Sequence, residues 1–431
     1  MTLTMRHVRL PKYGHPHGTR QTQLTSDAAR FPDIYDPDLY VEGPIHDVFA
    51  DLRANDPVHW QSMDGQPGYW AIMRHADVTL VARRPDLFSA EIGGVVLEDM
   101  APEQLEQSRN MLLMMDPPRH TTHRKPLAES FQAKVIGQME TRIRAMCRTI
   151  FAEAAERAHD GSVEFVHDVA GSLPSQVVGE LMGIPESDRA QIRQWAEQST
   201  SGQDPELAGE TYTAGTGFAD MGLYAYQFAM ARRQAEPLAD LTSLILAGNF
   251  GGSAMTDVEF ASFFVQLVTA GNDTTKTMLS SGLEVLLAHP NQLADLRADR
   301  GLMGGAVEEI LRFANPLHYI RRTALANTEI DGVSIAQGDK VAMIYTSANR
   351  DESVFGSTAQ QFDIRRSPNP HVTFGFGQHF CLGVHLARLE GRVFFDELLN
   401  TFSTIEQTGP SRRIRSNLNN GLKYLPIQLG Q

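Results

Sequence analysis

Two cysteines occur in the 431 residues, and their surroundings differ. Cys147 lies in an Arg-rich amphipathic pattern and reads as a small buried hydrophobe. Cys381 belongs to the run Phe374-Gly375-Phe376-Gly377-Gln378-His379-Phe380-Cys381-Leu382-Gly383, a glycine-rich loop that feeds a helical pattern. The N–H groups and dipole at a helix start favour an anion, and glycines let backbone amides approach a sulfur closely. The chemistry such a position offers is that of a metal thiolate. Two cysteines are too few for a disulfide framework or a four-cysteine cage.

A second group with chemical potential interrupts the long apolar pattern Phe260–Leu287, namely Ala270-Gly271-Asn272-Asp273-Thr274-Thr275. An acid and hydroxyls in a core helix cost free energy unless they are hydrogen-bonded or face a wet cavity. Two readings stand at this point. Either Gly271 leaves room for a ligand beside the acid and alcohol, or the helix is kinked and its Thr side chains bond to backbone carbonyls. Further along, Glu309 and Arg312 are three apart on one helical face, a spacing that a surface ion pair worth ~0.3–0.5 kcal/mol also shows. His120 and Arg124 are four apart after Pro117-Pro118, hence on one face of a helix that starts there.

The elements that must position these groups are mostly helical. Helical periodicity covers Ala76–Arg83, Gln132–Arg157, Ser172–Met182, Glu186–Gln198, Thr213–Arg233, Thr256–His289, Met303–Phe313 and Leu382–Phe402. Val58–Gln61 and Tyr69–Met73 alternate about Asp64-Gly65-Gln66-Pro67-Gly68 and predict a hairpin, and strand patterns return at Arg321–Ala324, Val341–Tyr345 and Leu422–Leu429. Pro290 and Pro316 read as breakers. Residues 1–30 lack an apolar period and predict a surface arm, leaving 31–431 as one domain. No repeat, low-complexity tract or linker divides the rest.

The cysteine run matches the cysteine loop of the cytochrome P450 family at every fixed position of Phe-Gly-x-Gly-x-His-x-Cys-x-Gly, and Ala387 also fits. Ala270–Thr275 resembles that family's I-helix motif, and Glu309-Ile310-Leu311-Arg312 followed by Phe313 and Pro316 resembles its K-helix signature. Asp116-Pro117-Pro118-x-His120-x-x-x-Arg124 resembles its C-helix motif, and Arg322-Thr323-Ala324 the strand whose arginine reaches a haem propionate. Asn349-Arg350-Asp351 and Phe362-Asp363-x-Arg365-Arg366 resemble the stretch that completes the proximal core. These matches spread from Pro117 to Ala387.

The resemblance implies a mainly α fold, a helix-rich haem domain with small β-sheets and haem between the I- and L-type helices. It implies haem b held through a Cys381 thiolate, whose hydrogen bonds tune the electron density pushed onto iron. It places Phe374 near haem and sulfur, makes His120, Arg124, Arg322 and His379 a clamp on the propionates, and adds Ala270, Gly271 and Gly383 to the cofactor site. Gly271 would make space for dioxygen, Asp273 would deliver protons, and Thr274 would steady the oxygen ligand and its waters. Glu309 and Arg312 are then a buried structural pair.

The reaction implied is insertion of one oxygen atom from O2 into a C–H bond. The pattern most resembles terpene, alkane and steroid hydroxylases, particularly at Asp116-Pro117-Pro118-x-His120, Arg321-Arg322-Thr323-Ala324-Leu325 and Ser347-Ala348-Asn349-Arg350-Asp351. Ile92, Val95, Val96, Leu97, Val268, Leu317, Ile320 and Leu418 are the candidates for a hydrophobic substrate pocket. An epoxidase or peroxygenase use of the same site is an alternative, as is a haem-based ligand binder without turnover.

No flavin or nicotinamide fingerprint occurs, so electrons from NAD(P)H must arrive through external proteins, a ferredoxin and its reductase. Arg119, Lys125, Arg142, Arg144, Arg388 and Arg392 are candidate landing cations for an acidic partner. A formal charge of −14 argues against nucleic-acid binding. The absence of ~18 consecutive apolar residues argues against a membrane span, which predicts a soluble cytoplasmic protein.

Overall fold

A computed structural model describes residues 31–43, 45–158, 162–200, 202–208 and 214–430; the arm expected over 1–30 lies outside them. The longest helix, Asp257–Ala288, starts because Thr256 and Glu259 form a reciprocal cap. Thr256 Oγ1 accepts from the Glu259 N–H at 3.2 Å, and Glu259 accepts from the Thr256 N–H at 2.8 Å. Its apolar positions recur on several sides, so it is buried nearly all round. It packs against Ser172–Met182, Glu186–Thr200, Ala214–Gln234, Met303–Phe313 and Val384–Thr401. Phe260, Phe264, Leu279, Leu283, Phe394 and Phe395 are among the fully buried side chains of this main core.

The helices that periodicity predicts have the expected extents to within a residue or two, with two corrections, while periodicity does not predict Ile45–Asn55, Pro102–Ser108 and Leu241–Ala247. Gln132–Arg157 divides into Ala133–Gly137 and Glu140–Arg157, with the break after Gly137. Pro290 begins a new helix, Pro290–Ala298, because proline at the first helical position gives up an N–H that has no partner there anyway.

The sheet that serves the site has five strands, in the order Val58–Met63, Gln66–Ile72, Lys340–Ile344, Tyr319–Ala324, Phe88–Ser89. The first two form the predicted hairpin, Gln66–Ile72 runs parallel to Lys340–Ile344, and the remaining pairings are antiparallel. A second sheet pairs Pro426–Gly430 with Ser162–Glu164 and Thr404–Gln407. The C-terminal strand pattern is therefore two strands, Leu422–Tyr424 and Pro426–Gly430, separated at the buried Leu425. Among the described residues no helix is long and apolar enough to cross a membrane.

Candidate functional site

The cysteine loop is shaped by two glycines with positive φ, Gly375 at +71° and Gly377 at +69°. A Cβ on Gly377 would lie 2.5 Å from the Ala82 carbonyl oxygen, so only glycine lets the loop press on the end of the His75–Arg83 helix. Phe376 is held there under the Arg83 guanidinium, 4.4 Å from its ring centroid. The Cys381 N–H donates to the Phe374 carbonyl at 2.9 Å, closing the loop just ahead of the Val384–Thr401 helix. Burial pushes the Cys381 thiol up; the Gly383 N–H and the Arg124 and Arg388 guanidiniums oppose it. Cys147, by contrast, is fully buried and its thiol is driven far up by that burial, as an inert core cysteine should be.

Beside the loop, two imidazoles and two guanidiniums converge. The His120 and His379 rings lie 4.2 Å apart, and Arg124 donates to the Phe380 carbonyl at 2.6 Å. Arg322 is buried and donates to the Arg321 carbonyl at 2.9 Å. Burial, then Arg124 and Arg322, pushes His120 down to about 4, and burial with Arg322, His120 and Arg124 pushes His379 down to about 2. None of the four forms an ion pair among the described residues, and the buried His120 Nε2 has no hydrogen-bond partner. A buried guanidinium without an anion, as Arg322 is, is costly. A thiolate-bound haem with two propionates fits this donor set: sulfur for iron, and four convergent nitrogen groups for the carboxylates.

The start of the Arg119–Ala128 helix is anchored through Asp116, which accepts from the Ala90 N–H at 2.8 Å and from the Ser89 hydroxyl. Arg322 is delivered by the strand Tyr319–Ala324, antiparallel to Lys340–Ile344. Two parts of the chain far apart in sequence thus bring the clamp together.

On the long helix, Ala270 is exposed and Thr274 half-exposed within an otherwise buried stretch, so one turn of this helix borders open space. Thr274 Oγ1 donates to the Ala270 carbonyl at 2.6 Å. The backbone-bonded hydroxyl of the second sequence reading is therefore present, on a turn of the helix that is open at Ala270. Gly271 serves a different purpose from the one expected: a Cβ there would lie 2.7 Å from Val178, so the glycine allows close helix packing.

Asp273 is buried and occupied. Its Oδ1 lies 3.1 Å from Lys276 Nζ, and Oδ2 accepts from the Thr200 hydroxyl. Lys276 also donates to Glu197 at 3.2 Å, and Glu197 pairs with Arg193 at 3.6 Å. Burial works against the Lys276 ammonium, but Asp273 and Glu197 raise it above the ordinary lysine value. This network runs from the cavity helix into Glu186–Thr200.

Of the pocket candidates, Ile92 is exposed and Val96, Leu317, Ile320 and Leu418 are half-buried. The turn carrying Leu418 docks on Pro316–His318 through the His318 N–H to the Leu418 carbonyl at 2.8 Å and the Asn420 N–H to the Pro316 carbonyl at 2.9 Å. Leu97 and Val268 are 1% and 0% exposed and lie within packed cores, and Val95 packs with Ala90 and Met114. These three pack as core residues, Leu97 and Val268 with almost no exposed surface.

Glu309 and Arg312 are fully buried and joined at 2.7 and 2.8 Å, and Arg312 further donates to the Asn349, Ala359 and Gln361 carbonyls. Asp363, Arg366 and Asn369 donate to Glu309. The pair ties the helix to the segment ahead of the cysteine loop. Sequence reasoning missed Lys276, Thr200 and Glu308. Lys276 stands three residues after Asp273, a readable ion-pair spacing; Thr200 and Glu308 meet their partners only through tertiary packing.

A sequence model described as Cytochrome P450 matches residues 226–429. The chain is 34% identical over 406 residues to a steroid C26-monooxygenase of Mycolicibacterium smegmatis, covering 92% of this chain and 93% of that protein. It is 36% identical over 388 residues to a methyl-branched lipid omega-hydroxylase of Mycobacterium tuberculosis, covering 88% and 90%. A solved Mycobacterium marinum cytochrome P450 in complex with pseudoionone superposes with a TM-score of 0.85 at 34% identity, covering 92% of this chain and 99% of that one.

Proposed function

The chain belongs to the cytochrome P450 family, and on that premise we propose that it hydroxylates the branched aliphatic terminus of a steroid side chain or methyl-branched lipid, with Cys381 as the haem ligand. The enzyme is a haem-thiolate monooxygenase of hydrophobic substrates that draws its electrons from external redox proteins. Bound haem would supply the oxidant: dioxygen, two electrons and two protons give water and one oxygen atom, which is inserted into a C–H bond.

The observation that carries the site is the convergence of His120 and Arg322, both buried, with Arg124 and His379, without an anion, next to a cysteine whose loop offers the Gly383 N–H. In this reading the clamp orients the cofactor and the Gly383 N–H holds negative charge on the sulfur. Thr274 faces the cavity and, by exchanging its bond to the Ala270 carbonyl, donates a hydrogen bond on the distal side. Asp273 takes up a proton and passes it inward once its bonds to Lys276 and Thr200 loosen, since a carboxylate held by an ammonium is a poor proton acceptor.

The substrate class rests on the residues this reading assigns to the pocket. Ile92, Val96, Leu317, Ile320 and Leu418 are apolar, and the nearby cations are already engaged: Arg321 and Lys340 both lie 3.0 Å from Asp99. Such a lining favours a long apolar chain over a charged head. The relatives act, by their names, at steroid C26 and at a lipid omega carbon. A ferredoxin and its reductase are the electron source this reading assigns.

The test is to incubate the haem-loaded enzyme, NADH, ferredoxin and its reductase with a cholest-4-en-3-one-type steroid and with a methyl-branched fatty acid. Terminal alcohol from either is the expected product. Oxygenation confined to ring or mid-chain carbons, or turnover only of compact polar substrates, would contradict the assignment.

A further inference from the structure

On the other side of the cysteine loop lies a chain of three polar side chains that the reading above leaves without a role. Arg388, on the helix that follows Cys381, donates to Glu308 through two nitrogens at 2.7 and 2.6 Å. Its guanidinium carbon lies 5.0 Å from the Phe374 ring centroid. His371 Nδ1 accepts from the Thr373 N–H at 3.3 Å, so the imidazole proton sits on Nε2 and is donated to Glu308 at 3.2 Å. Burial works against the Glu308 carboxylate, but the bonds from His371 and Arg388 hold it down at about 2, hence ionised. Phe374, under the guanidinium, accepts through its carbonyl the N–H of Cys381 itself. The side chains of Arg388 and Glu308 are 29% and 27% exposed, so their charges are only partly screened.

We propose that the Glu308–Arg388 pair is a positioned charge couple that sets how strongly the Cys381 sulfur donates to iron, and thereby the reduction potential of the haem. The inference rests on the thiolate reading above and extends it to residues outside the ligand loop. A positive charge beside the sulfur stabilises the thiolate and weakens its donation, which favours the form of the iron that carries the extra electron. The carboxylate of Glu308 offsets part of that charge and fixes the guanidinium over Phe374. Arg388 therefore acts as a positioning residue for the sulfur rather than as a free docking cation, since its guanidinium is already held by a carboxylate and a ring.

The two partners must then act in opposite senses, which a merely structural role would not do. The experiment measures the reduction potential of the haem-loaded protein by spectroelectrochemistry, with the absorption spectrum of the reduced carbon monoxide complex as a control on ligation. Arg388→Gln removes the positive charge and should shift the potential down; Glu308→Gln leaves that charge uncompensated and should shift it up; Arg388→Lys should fall between Arg388→Gln and wild type. Shifts of the same sign in Arg388→Gln and Glu308→Gln, or no shift in either, overturn the proposal while the thiolate reading stands. Should Arg388→Gln fail to take up haem, Glu308→Gln decides alone, and a potential at or below wild type overturns it. A wild type without the red-shifted carbon monoxide band would instead defeat the thiolate reading itself.

Discussion

Asp273 and Thr274 are neighbours in sequence, yet the helix turns them into different environments. Thr274 is half-exposed with only a backbone carbonyl as partner, while Asp273 is buried against Lys276 and Thr200. The alcohol is thus free to exchange its bond at low cost, and the acid is not. Thr274→Ala should leave haem and substrate binding intact but lower the product formed per NAD(P)H consumed several-fold; equal coupling in the two proteins would remove Thr274 from the mechanism. The cysteine loop was legible in the sequence because it rests on local spacing, whereas His120, Arg124, Arg322 and His379 come from distant segments and are grouped only through the family resemblance. The latch on Asp273 was legible only as far as Lys276. Glu197 and Thr200 reach it from a helix more than 70 residues away in the chain.

Among elements, the helix Val384–Thr401 joins the cysteine loop to the main core, and it carries a buried acid. Glu390 is 3% exposed, one of its carboxylate oxygens has no hydrogen-bond partner, and burial pushes it up to about 8. Its folded value lies above that of the unfolded chain, so the stability it contributes is fully present below about pH 4.5 and is lost as pH rises through about 8. Glu390→Gln, which keeps shape without charge, should match wild type in denaturant unfolding at pH 5 and exceed it at pH 9 by a few kcal/mol, at ~1.4 kcal/mol per pKa unit. A gap that does not widen with pH would show that Glu390 finds a partner when charged. Periodicity located this helix and the long one, since both are amphipathic or capped. It read Pro290 correctly as the break after the long helix, which ends at Ala288, but not the helix Pro290–Ala298 that the same proline opens.

For the whole molecule, net charge says little about where a redox partner lands. The chain carries −14 overall, and most of the cations expected to attract an acidic ferredoxin are internally engaged. Arg144 is clamped by Asp396 and Glu397, Arg142 pairs with Glu180, Arg388 with Glu308, and Arg119 donates to the Arg109 carbonyl and to Asn110. Lys125 and Arg392, on the two helices that flank the cysteine loop, are exposed and in no ion pair among the described residues. Sequence alone ranked all six alike, because pairing across helices has no local signature. The charge reversals Lys125→Glu and Arg392→Glu together should slow electron transfer from an acidic ferredoxin at least several-fold at low salt, with the difference shrinking as salt rises. A rate unchanged at low salt would place the docking surface elsewhere.

All of this depends on one bond, that between Cys381 and haem iron. The absorption spectrum of the dithionite-reduced protein under carbon monoxide, recorded for wild type and Cys381→Ala, tests it most directly. The Soret band should be red-shifted in wild type and lack that shift in the variant, as thiolate ligation of the iron implies. The same spectrum from both proteins, or no haem in wild type, would contradict the assignment of Cys381 and the site built around it.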